Sequence, residues 1–157
     1  MDKKGKNGVK YGVLVVLSLM VAVTAAFGFT LPGMSKYEKV TPVNGVVTIP
    51  VAKVGDGEAH FYRLVEGGKE LNFFFVKGSD GAFHTAFDAC DVCFKEKKGY
   101  VKQGDQMLCK NCNQKFAIIR IGAASGGGCN PSHLPAKLDG SNIRVSVTDL
   151  KTGLRFF

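Results

Sequence analysis

Tryptophan is absent from this chain, and in 157 residues histidine occurs three times and cysteine five times. Each scarcity removes a reading. Phe94 and Asn113 stand where histidine would have to follow a C-x-x-C pair, so c-type haem attachment is disfavoured. No cysteine precedes Cys90, so a lipid-modified amino terminus has no support. No nucleophile and base are spaced in a way that argues for hydrolysis. Beyond the first apolar run no convincing amphipathic helix is present. Twelve phenylalanines and twenty glycines, without tryptophan, instead suggest a turn-rich fold of small aromatic strands.

Charge is missing in one place and diluted elsewhere. Lys3, Lys4, Lys6 and Lys10 against Asp2 supply +3 of the formal +8, which leaves +5 for the rest. That remainder forms no dense basic stripe apart from KEKK at 95–98, so a solvated surface is expected and nucleic acid is not. Residues 11–35 carry no charge at all, and YGVLVVLSLMVAVTAAFGF is long enough to cross a bilayer. The expected organisation is a basic cytoplasmic tail at 1–10, a transmembrane anchor or signal peptide at 11–30, a linker at 31–42 and an extracytoplasmic β-domain at 43–157. The lysines ahead of the run set that orientation by the positive-inside bias. Small residues from Val23 to Ala26 would suit cleavage, but the apolar run continues through Phe27, Gly28 and Phe29, which favours an uncleaved anchor.

The remaining chain is long enough for one domain with one core. Its pattern is β throughout. GVVTIPV at 45–51 reads as a strand, EAHFYRLV and ELNFFFVK as a hairpin about GGK, and AFHTAF as a strand leading into the first cysteines. QKFAIIRI is read as a further strand, and IRVSVTDL with GLRFF as a last hairpin about Lys151 and Thr152. The fold class expected is all-β, a small Rieske-like barrel or sandwich with metal-binding loops at one end, preceded by one transmembrane helix.

Four cysteines carry the chemistry. Cys90 and Cys93 form one C-x-x-C pair, Cys109 and Cys112 a second, with fifteen residues between the pairs. Two such loops can present four thiolates to one metal ion or to a small iron–sulfur cluster. On spacing alone a structural zinc ribbon is the commoner occupant. The β-strand setting and the Gly-Pro loop beyond are similar to the Rieske domain, where each ligand loop gives a cysteine and a histidine. Cys93 and Cys112 occupy the histidine positions here, so a cluster would be all-thiolate and of lower potential. Thiol–disulfide exchange fits less well, because no helix begins at either pair to lower a thiol pKa.

Other residues near the pairs have more than one reading each. Cys129, in GGGCNPSHLP, is a fifth or substitute ligand, a reactive thiol, or a small buried residue. His84 and His133 are potential ligands, though lone strand histidines, His60 among them, are more often structural. Asp88 and Asp91 are expected as turn residues rather than as acceptors bonded to the ligands.

The stretch FDACDVCFKEKKGYVKQGDQMLCKNCNQKF, with IGAASGGGCNPSHLP after it and FYRLVEGGKELNFFFVKGSDG before it, resembles the FtrD-like family of bacterial membrane iron–sulfur proteins. The resemblance covers residues 46–138. It implies a membrane-associated iron–sulfur protein connected with the uptake of ferrous iron, with Cys90, Cys93, Cys109 and Cys112 as ligands and Cys129 in the matching GGCNP element. It turns the preference from zinc to an iron–sulfur cluster. One apolar run is too little for a permease, so one-electron transfer with a separate iron permease or redox partner is expected. A zinc interaction module or a chaperone for soft ions such as cuprous copper is the alternative.

Overall fold

The computed structural model describes residues 35–122 and 127–157. The expected anchor at 11–30 lies outside the described residues. Among the described residues no helix is long and apolar enough to cross a membrane.

Among the described residues the fold is all-β, in three sheets. The largest has the order β1–β3–β4–β5, from Glu38–Lys39, His60–Glu66, Lys69–Lys77 and Phe83–Phe87, with β1 parallel to β3 and the other pairs antiparallel. The second has the order β2–β10–β9, from Val46–Pro50, Asn142–Ser146 and Lys137–Asp139. The third is the meander β6–β7–β8, from Tyr100–Gln103, Gln106–Cys109 and Lys115–Ala117. Glycine fixes the tight turns. Glu66 pairs with Lys69 across Gly67 and Gly68, both at positive φ (56° and 77°), as a two-residue primed turn requires. Gly104, at φ 56°, opens the turn between β6 and β7 in the same way.

The central strand is β4. Phe73, Phe74, Phe75 and Val76 are all fully buried, so the strand is covered on both faces and reads as a continuous apolar run rather than an alternating one. Phe73 and Phe75 face a cluster with Val47, Ile49, Ile143 and Val145 of the second sheet. Phe74 and Val76 face another with Tyr100, Met107 and Cys109 of the third, and with Cys90 of the loop after β5. The single expected core is therefore two, one on each side of β4.

Three expected elements differ. Within the stretch read as a linker, residues 36–40 are packed against the domain: Glu38 and Lys39 pair with Tyr62 and Arg63, and Val40 is buried. QKFAIIRI is a strand only to Ala117, after which Ile118–Arg120 turn as a 3-10 helix that buries Ile118. The last hairpin is not formed. β10 pairs instead with β2 and β9, and Val147–Lys151 form a short helix, α2, after a first short helix, α1, at Val51–Val54. The cause is a cap: the Ser146 hydroxyl accepts the Asp149 N–H at 2.9 Å and donates to the Asp149 carboxylate at 2.6 Å, which stops the strand at Ser146.

Candidate metal centre

Both C-x-x-C pairs hang from the third sheet and the end of β5. The first follows β5, and Cys93 starts a 3-10 turn at Phe94–Glu96 closed by Lys97 in the left-handed region (φ 50°). The second begins at the end of β7, where Cys109 lies opposite Tyr100. Its loop returns at once: the Asn113 N–H donates to the Cys109 carbonyl and the Cys109 N–H to the Gln114 carbonyl, both at 2.9 Å, with Asn113 at φ 59°. Such tight loops turn backbone donors onto sulfur. The Cys93 N–H reaches Cys90 Sγ at 3.1 Å, those of Asn111 and Cys112 point at the Cys109 sulfur, and that of Gln114 at Cys112.

Cys129 arrives from a third direction. The loop that carries it is laced to β5 and the first pair: the Phe87 N–H donates to the Ser132 carbonyl at 2.8 Å, and the Ser132 N–H to the Ala89 carbonyl at 2.9 Å. The Thr85 hydroxyl donates to the Leu134 carbonyl, and the Tyr100 hydroxyl to the Cys129 carbonyl, each at 2.5 Å. Gly127 and Gly128, at φ 93° and 69°, let the chain turn there. Cys129 Sγ then lies 3.7 Å from Cys93 Sγ.

The five sulfurs make two trios. Those of Cys90, Cys93 and Cys129 lie within 4.8 Å of one another, and so do those of Cys93, Cys109 and Cys112. Cys93 belongs to both. Cys90 and Cys109 are buried, Cys93 and Cys129 half-buried, and Cys112 exposed. Burial raises the Cys109 thiol to about 11 and pushes that of Cys129 up as well, while the Gln114 N–H lowers Cys112. The Tyr100 hydroxyl is also raised, by burial first and then by its bond to the Cys90 sulfur.

The three histidines stand apart from both trios. His84 bridges the Ile121 carbonyl at 2.8 Å and Asp80 at 3.1 Å, and His60 meets Asp56 at 2.7 Å. His133 forms an isolated β-bridge with Ala86. Asp91 is at the surface, 3.1 Å from Arg155. Asp88 is not the simple turn residue expected from sequence. Its side chain is wholly buried, and it accepts from Lys36 Nζ at 2.6 Å, the Tyr37 hydroxyl at 2.5 Å and the Tyr100 N–H at 2.7 Å. Lys36 also reaches the Tyr100 carbonyl at 2.8 Å and lies 3.7 Å from the Phe61 ring centre. Burial lowers the Lys36 pKa more than Asp88 raises it. The only sequence signal for this hub was an aspartate two residues before a cysteine pair, and its Lys36 and Tyr37 partners lie about fifty residues away.

The model of the family described as membrane iron-sulfur containing protein FtrD-like matches residues 54–157. The chain belongs to the FtrD-like family. No curated protein and no solved structure matches it. The FtrD-like match takes in all five cysteines and Asp88, but not β1, β2 or the Lys36 and Tyr37 that hold Asp88. The donor set fits what the family name implies. Soft thiolates in tight loops, with backbone N–H groups aimed at the sulfurs, are the usual protein side of an iron–sulfur centre.

Proposed function

We propose that this protein is a membrane-anchored iron–sulfur carrier that passes single electrons in support of iron uptake. Cys90, Cys93, Cys109 and Cys112 are its cluster ligands, with Cys129 beside them. The observation that carries this reading is the gathering of the thiols of both C-x-x-C loops into two adjoining trios that share Cys93, in a chain of the FtrD-like family. When bound, the cluster supplies a one-electron couple. The protein's residues hold it, shield it behind β4 and leave Cys112 at the surface as a short route for an electron. Such a role needs no substrate pocket.

The surroundings suit a protein partner. Lys95, Lys97, Lys98, Lys110 and Lys115 are exposed around the two loops, and among the described residues none of them is in a salt bridge. A basic rim of this kind steers an acidic partner, and an iron permease or its electron donor fits that role. The domain would stand outside the cytoplasm on the anchor at 11–30. Two ligand loops set against a β-core at one end support a Rieske-like arrangement with all-thiolate ligation.

A single structural zinc is the competing occupant, and the sulfur positions favour it less. With Zn–S near 2.3 Å, a tetrahedral ion holds its four sulfurs about 3.8 Å apart. Cys90 belongs to one trio only, and Cys109 and Cys112 to the other only. The deciding measurement is the optical and paramagnetic resonance spectrum of anaerobically purified full-length protein. Visible thiolate-to-iron bands that bleach on reduction are expected. A colourless protein with one zinc per chain would sink the proposal.

A further inference from the structure

We propose that the five cysteines form a two-ion thiolate site, with Cys90, Cys93 and Cys129 holding one thiophilic cation, Cys93, Cys109 and Cys112 the other, and Cys93 shared. The inference rests on the reading of these cysteines as metal ligands. It goes beyond that reading in making Cys129 a full ligand and in setting the number of ions.

The position of Cys129 is built rather than incidental. Hydrogen bonds involving Thr85, Phe87 and Ser132 tie its loop to β5 and to the loop of the first pair, and one from Tyr100 ties it to β6. The sulfur is thus held near Cys93 without help from a disulfide. Tyr100 links the parts: its hydroxyl meets the Cys129 carbonyl and the Cys90 sulfur, and its backbone pairs with Cys109.

Each trio matches the demand of one soft ion. Three thiolates around a cation at about 2.3 Å place their sulfurs about 4.0 Å apart, inside the 4.8 Å spread of each trio. A single ion held by Cys90, Cys109 and Cys112 together would require sulfurs from different trios to close up. Charge argues the same way. If all five sulfurs bind as thiolates they repel one another in a medium that screens poorly. One divalent cation among five thiolates would leave three negative charges uncompensated, and two leave one, which the surrounding lysines can balance. Cys93 lies between the trios, 3.7 Å from Cys129, and is placed to bridge.

The test uses full-length protein in detergent, stripped of metal under anaerobic conditions and titrated with cadmium. Binding is followed by thiolate-to-cadmium absorption and by cadmium-113 resonance. Two cadmium ions per chain are expected, giving two resonances coupled through the shared sulfur. Cys129→Ser should lose one ion and keep the other, and Cys109→Ser should lose the opposite one. Cys93→Ser should weaken both and abolish the coupling. Cys112 is exposed, so Cys112→Ser replaces Cys109→Ser if the buried change prevents folding. One ion per wild-type chain, or two that persist uncoupled in Cys129→Ser, overturns the proposal. Iron and acid-labile sulfide in the protein as isolated are a separate readout. Their absence would end the iron–sulfur reading without touching the ion count, and their presence with one cadmium position would do the reverse.

Discussion

Phe73 and Phe75 on one face of β4, and Phe74 and Val76 on the other, are equally buried, but the layers they meet are built differently. The first layer is a self-sufficient core. Five consecutive residues of β2 pair with five of β10, Val47, Ile49, Ile143 and Val145 alternate inward, and α2 closes one end through Leu150. The second layer is a meander of strands three or four residues long, and a large part of its apolar contact comes from cysteines, Tyr100 and Met107. Strands so short make a marginal sheet unaided. The difference indicates that one side of β4 holds the fold and the other is held by it, and a metal on the cysteines would complete the second layer.

The sharpest way to break this distinction is to truncate one phenylalanine on each face. Phe75→Ala removes a fully buried ring that packs edge-on to Tyr62 and Phe73, with ring centres 5.6 and 5.8 Å away. It should cost about 3–5 kcal/mol of stability. Metal content per folded chain should not change. Phe74→Ala should cost a similar amount, since its ring is buried against Phe61 and Tyr100. It should also weaken metal binding, because Tyr100 positions both Cys109 and Cys129. Denaturant melts with metal analysis of the folded fraction would decide. Equal metal loss in the two variants would mean that the faces are not separate.

Asp88 sharpens the comparison because it lies at the join. Its N–H donates to the Asn72 carbonyl on β4 at 2.8 Å, and its carboxylate bonds the Tyr100 N–H of the cysteine sheet. Asp88→Asn would leave Lys36 without its counter-charge. The expected loss is about 3 kcal/mol, at the lower end for a broken buried pair because about a third of the Lys36 side chain still meets water (32%). Gly99 depends on the same carboxylate: a Cβ there would collide with it, and the residue sits at φ 64°. A loss under 1 kcal/mol in Asp88→Asn, by chemical denaturation, would remove Asp88 from this role.

The two faces also differ in how far the sequence discloses them. The run LNFFFV, the GGK turn and the β-branched residues of β2 each carry a local signal, and the strands β2, β3, β4 and β5 form where those signals put them. The two cysteine pairs were legible from spacing. What spacing could not give was the allocation of sulfurs, because Cys129 reaches Cys93 through a loop bonded to β5, and no local pattern encodes that contact. Asp88 escaped for the same reason, since its lysine and tyrosine lie about fifty residues upstream. The expected last hairpin failed for a local reason that was visible: S-x-x-D at Ser146 and Asp149 is a helix start, and the alternation of IRVSV hid it.

That cap provides a smaller test, confined to the self-sufficient face. Ser146→Ala loses both bonds to Asp149 at the start of α2 and should cost about 1 kcal/mol. Metal binding should be unaffected. A drop in metal affinity as large as that of Phe74→Ala would show that α2 supports the cysteine layer after all.

The smallest expected effect is a pH dependence through His133, whose strip of chain joins the layers: it bridges Ala86 and follows Cys129 in the same loop. Burial lowers its pKa below the ordinary 6.5, and Asp149 offsets this only in part. The unfolded chain therefore takes up a proton at a higher pH than the folded one. Stability contributed by the neutral ring is present above 6.5 and is lost as pH falls from there toward the folded value. His133 is largely exposed, so the slope should be slight. Melting wild type and His133→Gln from pH 7.5 to 5 should show a small acid-side decline only in wild type. The decline should persist when metal is removed, because the ring's neighbours are strand and loop rather than sulfur. If stripping the metal abolishes it, the histidine titrates with the cysteine layer, and the line between the two faces must be drawn on the other side of this loop.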